Sequence, residues 1–120
     1  MFRRLLRPGQ GFRPYTVLRR EGGTTATGRP VTRELVPKGT FLGMISRASQ
    51  SEQEQWKQRG HPISHTVLQR GTENRAMAED VLELKSPDGT TVRRFLVQGV
   101  HDPAELGHFT SYQVLEREDL

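Results

Sequence analysis

The chain contains no cysteine. Disulfide scaffolds, thiolate metal centres, iron–sulfur clusters and cysteine nucleophiles are excluded with it. Aromatic residues are scarce: five Phe, two Tyr and one Trp in 120 residues. Leu, Ile, Val and Phe together number 28. That share lies just above the roughly one-fifth below which a charged chain tends to stay disordered. No apolar run approaches the roughly 20 residues of a membrane span. The first residues, Met1-Phe2-Arg3-Arg4-Leu5-Leu6-Arg7-Pro8, carry arginines with no long apolar stretch behind them, so they do not read as a signal peptide. The expectation is a soluble protein made in a reducing cytoplasm, with one modest core and loose ends or long loops. At 120 residues there is room for one domain.

Charge is present in quantity and unevenly placed. The net charge is +4. Residues 1–47 hold ten Arg or Lys against Glu21 and Glu34, while residues 48–120 hold eight against twelve acids. A basic front and an acidic back suit head-to-tail contact between copies or with neighbours of opposite sign. A basic front also suits nucleic acid. Solvated surface charge is the plainest alternative.

Local patterns predict a mainly β protein, a small antiparallel β-barrel or sandwich with one short helix and long loops. Residues 1–12 read as a basic N-terminal arm and 13–120 as a single β-barrel domain. Tyr15–Arg20 is β-favouring. Residues 21–38 read as a long flexible loop, its first ten residues E-G-G-T-T-A-T-G-R-P offering no hydrophobe larger than Ala26. Phe41–Ile45 is a short apolar strand. Ser49-x-x-Glu52 and Ser51-x-x-Glu54 both fit a capping box, which places a helix over 50–59, ended by Gly60 and pinned to the domain by Trp56. Strands follow at Ile63–Leu68, Asp80–Leu84, Val92–Gln98 and Phe109–Glu116. Pro87-Asp88-Gly89 supplies a hairpin turn.

Reactive chemistry is thin. His61 and His65 have i, i+4 spacing, but Pro62 between them argues against a helix, and in a strand they lie about 13 Å apart. His101, Asp102 and His108 bind a metal only if the fold gathers them. Ser64 and His65 are adjacent, so strand geometry points them to opposite faces. No nucleophile elbow and no phosphate-cradling loop occurs. The sequence predicts neither enzyme activity nor any metal or cofactor. The rival is a small barrel-type nucleic-acid-binding module. Arg3, Arg4, Arg7, Arg13, Arg19 and Arg20 would form its basic groove, with Phe2, Phe12 and Tyr15 as stacking platforms.

The second half carries a broader pattern. It comprises Trp56, then Gly60-His61-Pro62-Ile63-Ser64-His65-Thr66-Val67-Leu68 and Ala78-Glu79-Asp80-Val81-Leu82. Arg94-Phe95-Leu96-Val97-Gln98-Gly99-Val100-His101-Asp102-Pro103-Ala104-Glu105-Leu106-Gly107 follows, then Tyr112 and Glu116-Arg117. Over residues 41–118 it resembles the small head-closure (stopper, or head–tail joining) proteins of long-tailed bacteriophages. The resemblance implies a small β-barrel with long loops in a homo-oligomeric ring, commonly twelvefold. The ring lies at the virion neck, below the portal and its adaptor and above the tail-terminator ring. Packaged double-stranded DNA occupies its channel, and no membrane is involved.

In some members of that family a long loop projects into the channel and helps retain DNA. By position, Gly22, Gly23, Thr24, Thr25, Thr27, Gly28 and Arg29 are the candidates here. Arg3, Arg4, Arg7 and Arg13 are candidate DNA or partner contacts. His101, Asp102, Pro103, Glu105 and Gly107, within 99–108, are a candidate interface loop, with Asp102-Pro103 a rigid turn and Gly107 a position suited to positive φ. Val67, Leu82, Leu84, Phe95, Val97, Tyr112 and Val114 are the expected core.

Overall fold

The structure is a computed structural model that describes residues 11–21 and 34–120. Arg3, Arg4, Arg7 and the candidate channel residues Gly22 to Arg29 lie outside the described residues. Within them the chain forms β1 (Arg13–Glu21), β2 (Glu34–Arg47), α1 (Gln50–Gln58), β3 (His65–Arg70), β4 (Val81–Lys85), β5 (Val92–His101), a 3-10 turn (Pro103–Glu105) and β6 (Phe109–Glu116). All neighbouring strands are antiparallel, and they close into a ring in the order β1-β2-β3-β6-β5-β4. The ring is not a regular barrel. Strands of five to fourteen residues share it, and β1 meets β4 only from Thr16 to Leu18, opposite Glu83 to Val81.

Alternation along the strands fills the ring. Tyr15, Val17, Phe41, Val67, Leu82, Leu84, Phe95, Val97, Tyr112 and Val114 are buried in one cluster. It includes all seven of the expected core residues. Phe41 stacks between Tyr15 and Tyr112, with centroids 5.5 and 5.3 Å away. Gly43 faces inward on the same strand. A Cβ there would stand 2.9 Å from the Phe41 ring and 3.1 Å from Val67, so the aromatic stack requires glycine.

Several strands are longer than the local patterns predict. β1 and β2 continue to the pair Glu21 and Glu34, so residue 21 and residues 34–38 belong to strands and not to a loop. Propensity misses them because Pro37, Lys38 and Gly39 are poor strand formers. Backbone pairing with β1 overrides it. Past Leu18 and Pro37 the hairpin leaves the ring, and Arg19–Glu21 pair with β2 alone. Likewise Gly99–His101 extend β5 and are not loop, because β6 offers Gln113 to Ser111 as partners. Ile63 and Ser64 precede β3, and Asp80 precedes β4.

The helix starts at the first of its two candidate boxes. Ser49 Oγ accepts from the Glu52 N–H (3.1 Å), and Glu52 answers on the Ser49 N–H (3.2 Å). At the other end Gly60 N–H and His61 N–H bond the Lys57 and Trp56 carbonyls, a Schellman closure. No residue of α1 is fully buried. Trp56 lies over Gly99 on the outer face of β5, so closely that a Cβ there would come within 2.5 Å of the indole. The β4–β5 turn is set by Asp88, whose carboxylate accepts from Thr90 N–H (3.1 Å) and the Thr90 hydroxyl (2.8 Å). These bonds and one from the Ser86 hydroxyl pull its pKa down to about 2. Among the described residues no helix is long and apolar enough to cross a membrane.

Candidate functional site

The ring has two mouths, and β3 runs from one to the other. At the His65 mouth, Arg93 of β5 grips Glu116 of β6 through Nε and Nη2, both at 2.8 Å. The guanidinium also lies 5.1 Å from the Phe95 centroid. His65 stands edge-on to Phe95 at 5.8 Å. Ser64 precedes the strand in a bend, so its hydroxyl turns back to His65 Nδ1 at 2.8 Å. The two side chains therefore do not point to opposite faces, because the alternation rule begins only once the strand does. Ser64 Oγ accepts the Glu116 N–H at 2.8 Å, which leaves its own proton for Nδ1. That serine links β3 to β6: its oxygen accepts from the Glu116 N–H while its proton goes to the His65 ring. Burial lowers the His65 pKa, opposed by Glu116 and aided by Arg93 and Arg47. The Arg93 hydrogen bonds hold the Glu116 carboxyl below its ordinary range.

At the Arg70 mouth the buried polar side chains are neutral, and the exposed Arg75 donates to the Thr110 hydroxyl through Nε at 3.3 Å. The Tyr112 hydroxyl donates to Gln69 Oε1 and accepts from Ala76 N–H at 3.0 Å. Gln69 Nε2 donates to the Glu73 carbonyl, and the Thr110 hydroxyl donates to the Gly71 carbonyl at 3.1 Å. Residues 71–76 are thereby tied across the opening. Gln69, Tyr112 and Thr110 are completely buried. Burial raises the Tyr112 pKa. It pushes that of Tyr15 up to about 12, although Arg93 and Arg13 pull the other way.

The hairpin root is anchored by Arg19. Its Nε and Nη2 donate to both oxygens of Asp80 at 3.0 and 2.9 Å. Asp80 is buried and also accepts the Met77 N–H at 2.8 Å. Across the root Glu21 faces Glu34, and Lys38 forms an ion pair with Glu21 that offsets the repulsion.

The remaining candidate residues are spread out. Arg13 is half-buried and donates to the Lys85 carbonyl at 2.7 Å, joining β1 to the end of β4. His101 ends β5, while Asp102 accepts the Gly107 N–H with both carboxylate oxygens (3.2 and 3.0 Å). Pro103 opens the 3-10 turn, Ala104 and Glu105 take φ of +57° and +54°, and Gly107 takes +72°. This knuckle presents Leu106 at 65% exposure. His61 lies beyond α1, His65 at one mouth, and His101 and His108 towards the other. Among the described residues no three His, Asp or Glu side chains converge on a point that could hold a metal ion.

Local rules did not find the Arg93–Glu116 pair, the Arg19–Asp80 anchor or the buried Gln69–Tyr112 bond. Each joins residues at least 23 positions apart, and neither partner has a distinctive local context. No protein-family model matches the chain, and a search of curated proteins finds no similar sequence.

Proposed function

We propose that the chain is a structural, non-enzymatic virion protein. In this proposal it forms one subunit of an oligomeric ring at the head–tail neck of a long-tailed bacteriophage. It links the portal-adaptor ring to the tail-terminator ring and helps to retain packaged double-stranded DNA. The observation that carries the proposal is the β1–β2 hairpin. It leaves the closed body past Leu18 and Pro37, and Arg19 fixes its root to Asp80. A rigid body with an anchored projection is what a channel-closing subunit requires. The residue pattern over 41–118 supports the same assignment. So does the split between a basic front and an acidic back, since ring subunits need complementary side faces and a DNA channel favours basic residues. The polar groups at the two mouths are engaged with one another, an arrangement suited to holding a shape.

Mass spectrometry of purified virions and imaging of the neck test the proposal. The expected result is this chain, in several copies, between portal and tail. Its absence from that position would overturn the assignment. Salt-dependent binding of the isolated chain to DNA with no place in a virion would favour a nucleic-acid-binding module instead.

A further inference from the structure

The five-residue run Phe41–Ile45 is apolar on both strand faces. Phe41 and Gly43 point into the ring, so Leu42 and Met44 point out of it. On β3, Val67 and Gln69 point in and Leu68 and Arg70 point out. Strand pairing sets Met44 beside Leu68, and Arg70 beside Phe109. The result is an apolar row across the outside of β2, β3 and β6, with Leu42 50% and Phe109 38% exposed. Arg70 is exposed in its midst. Its guanidinium lies 5.7 Å from the Phe12 centroid and enters none of the ion pairs of the described residues. Exposed apolar side chains gathered on one face are unusual where that face is meant to stay in water.

The strand order puts β4 and β5 on the opposite side of the ring. There Val92 is 46% exposed and shares a recess with Glu118. Arg94 is occupied by Glu83 and the Leu120 carbonyl, and Arg117 by Asp119. Glu118 is exposed and enters none of the ion pairs of the described residues. One side thus offers exposed apolar carbon beside a free cation. The far side offers exposed apolar carbon beside the Glu118 carboxylate, with the exposed Lys85 lining the same recess.

From this we infer that the β2–β3 face of one copy docks on the β4–β5 face of the next. Arg70 meets Glu118, and Leu42 and Phe109 cover Val92. Two different faces on opposite sides make a head-to-tail contact, which closes into a ring when the rotation per copy allows. The inference deepens the ring proposal above by naming its lateral interface. The occupant is a second copy, because the far side of the same body carries the opposite charge beside exposed apolar carbon.

Two variants of the full chain, Leu42→Glu and Val92→Glu, test it by native mass spectrometry and sedimentation. Both sites are exposed, and far-UV circular dichroism checks that each variant folds. The wild type is expected to assemble, and each variant alone to be monomeric. Mixed together they should form 1:1 heterodimers and nothing larger, since only one intact pair of faces remains. A wild type that stays monomeric at its solubility limit overturns the inference. So does a Val92→Glu variant that dimerises alone, which would mean a contact between like faces. Arg70→Glu should weaken assembly at least tenfold, and adding Glu118→Arg should restore it. The readout needs no virion. Assembly through these faces by a chain absent from the neck would keep this interface and lose the head–tail assignment.

Discussion

The two mouths of the ring are closed by opposite chemistries. At the His65 mouth an ion pair and an imidazole do the work, about one-third exposed, with Arg93 and Glu116 at 39% and 33%. At the Arg70 mouth a tyrosine, a glutamine and a threonine are completely buried and bonded to one another or to backbone, with the exposed Arg75 touching the network only at Thr110. Depth explains the difference. A charge that keeps some water sheds little solvation, whereas an ion deep in the ring would lose several kcal/mol. The neutral network needs only that each donor and acceptor be used, and no buried side-chain polar atom among the described residues lacks a partner. One mouth should therefore respond to pH and salt, and the other to side-chain shape.

The largest effect belongs to the neutral mouth. Tyr112→Ala removes a ring stacked on Phe41 and the hydroxyl shared by Gln69 and Ala76. Equilibrium urea unfolding should register a loss of about 3–5 kcal/mol, the same at low and high salt. Gln69→Glu makes the chemistry of the two mouths alike. A carboxylate there would be buried against the Glu73 carbonyl, and its pKa would rise. The variant should be less stable by about 3 kcal/mol at pH 7 and should regain stability as pH falls towards 5. A Gln69→Glu protein as stable as the parent at pH 7 would mean that water reaches this mouth and that depth does not separate the two.

Much of the fold was legible because its signals are local. The Ser49-x-x-Glu52 box, Pro87-Asp88-Gly89 and the alternation of Phe109–Glu116 each act within a few residues, and each element formed where it was expected. Residues 34–38 were misread because Pro37, Lys38 and Gly39 have low strand propensity. Their strand state is imposed by β1, 13 to 19 positions earlier. The polar links at the mouths were invisible for the same reason, since Arg93 finds Glu116 only after β5 and β6 pair. The outward apolar row had a visible trace. Phe41-Leu42-Gly43-Met44-Ile45 does not alternate, and an unbroken run in an antiparallel sheet means both faces are apolar.

At the charged mouth the effects are smaller and tunable. Glu116→Gln loses the carboxylate but keeps the shape and the backbone N–H to Ser64. The pair is about one-third exposed, so solvent screens it, and the loss should be about 1 kcal/mol, shrinking in high salt. A salt-insensitive loss would assign the effect to packing of Arg93 on Phe95.

The smallest prediction concerns pH and divides the two titrating groups of that mouth. His65 is held below its ordinary pKa of 6.5, first by burial and then by Arg93 and Arg47, while Glu116 pulls the other way. Folding therefore favours the neutral ring, as does the Ser64 hydroxyl, whose proton points to Nδ1. Stability from this group is complete above the unfolded value of 6.5 and is lost as pH falls from there through the folded value. Glu116 is depressed below 4.5, chiefly by the Arg93 hydrogen bonds, so its contribution stands above 4.5 and is lost only below it. Urea midpoints should fall between about pH 7.5 and 5 in the wild type. In His65→Gln that decline should be smaller, because the half-buried imidazole is gone. An unchanged slope would place the titrating group elsewhere. A midpoint that rises as pH falls would mean that Glu116 outweighs burial and that the imidazole is charged in the fold.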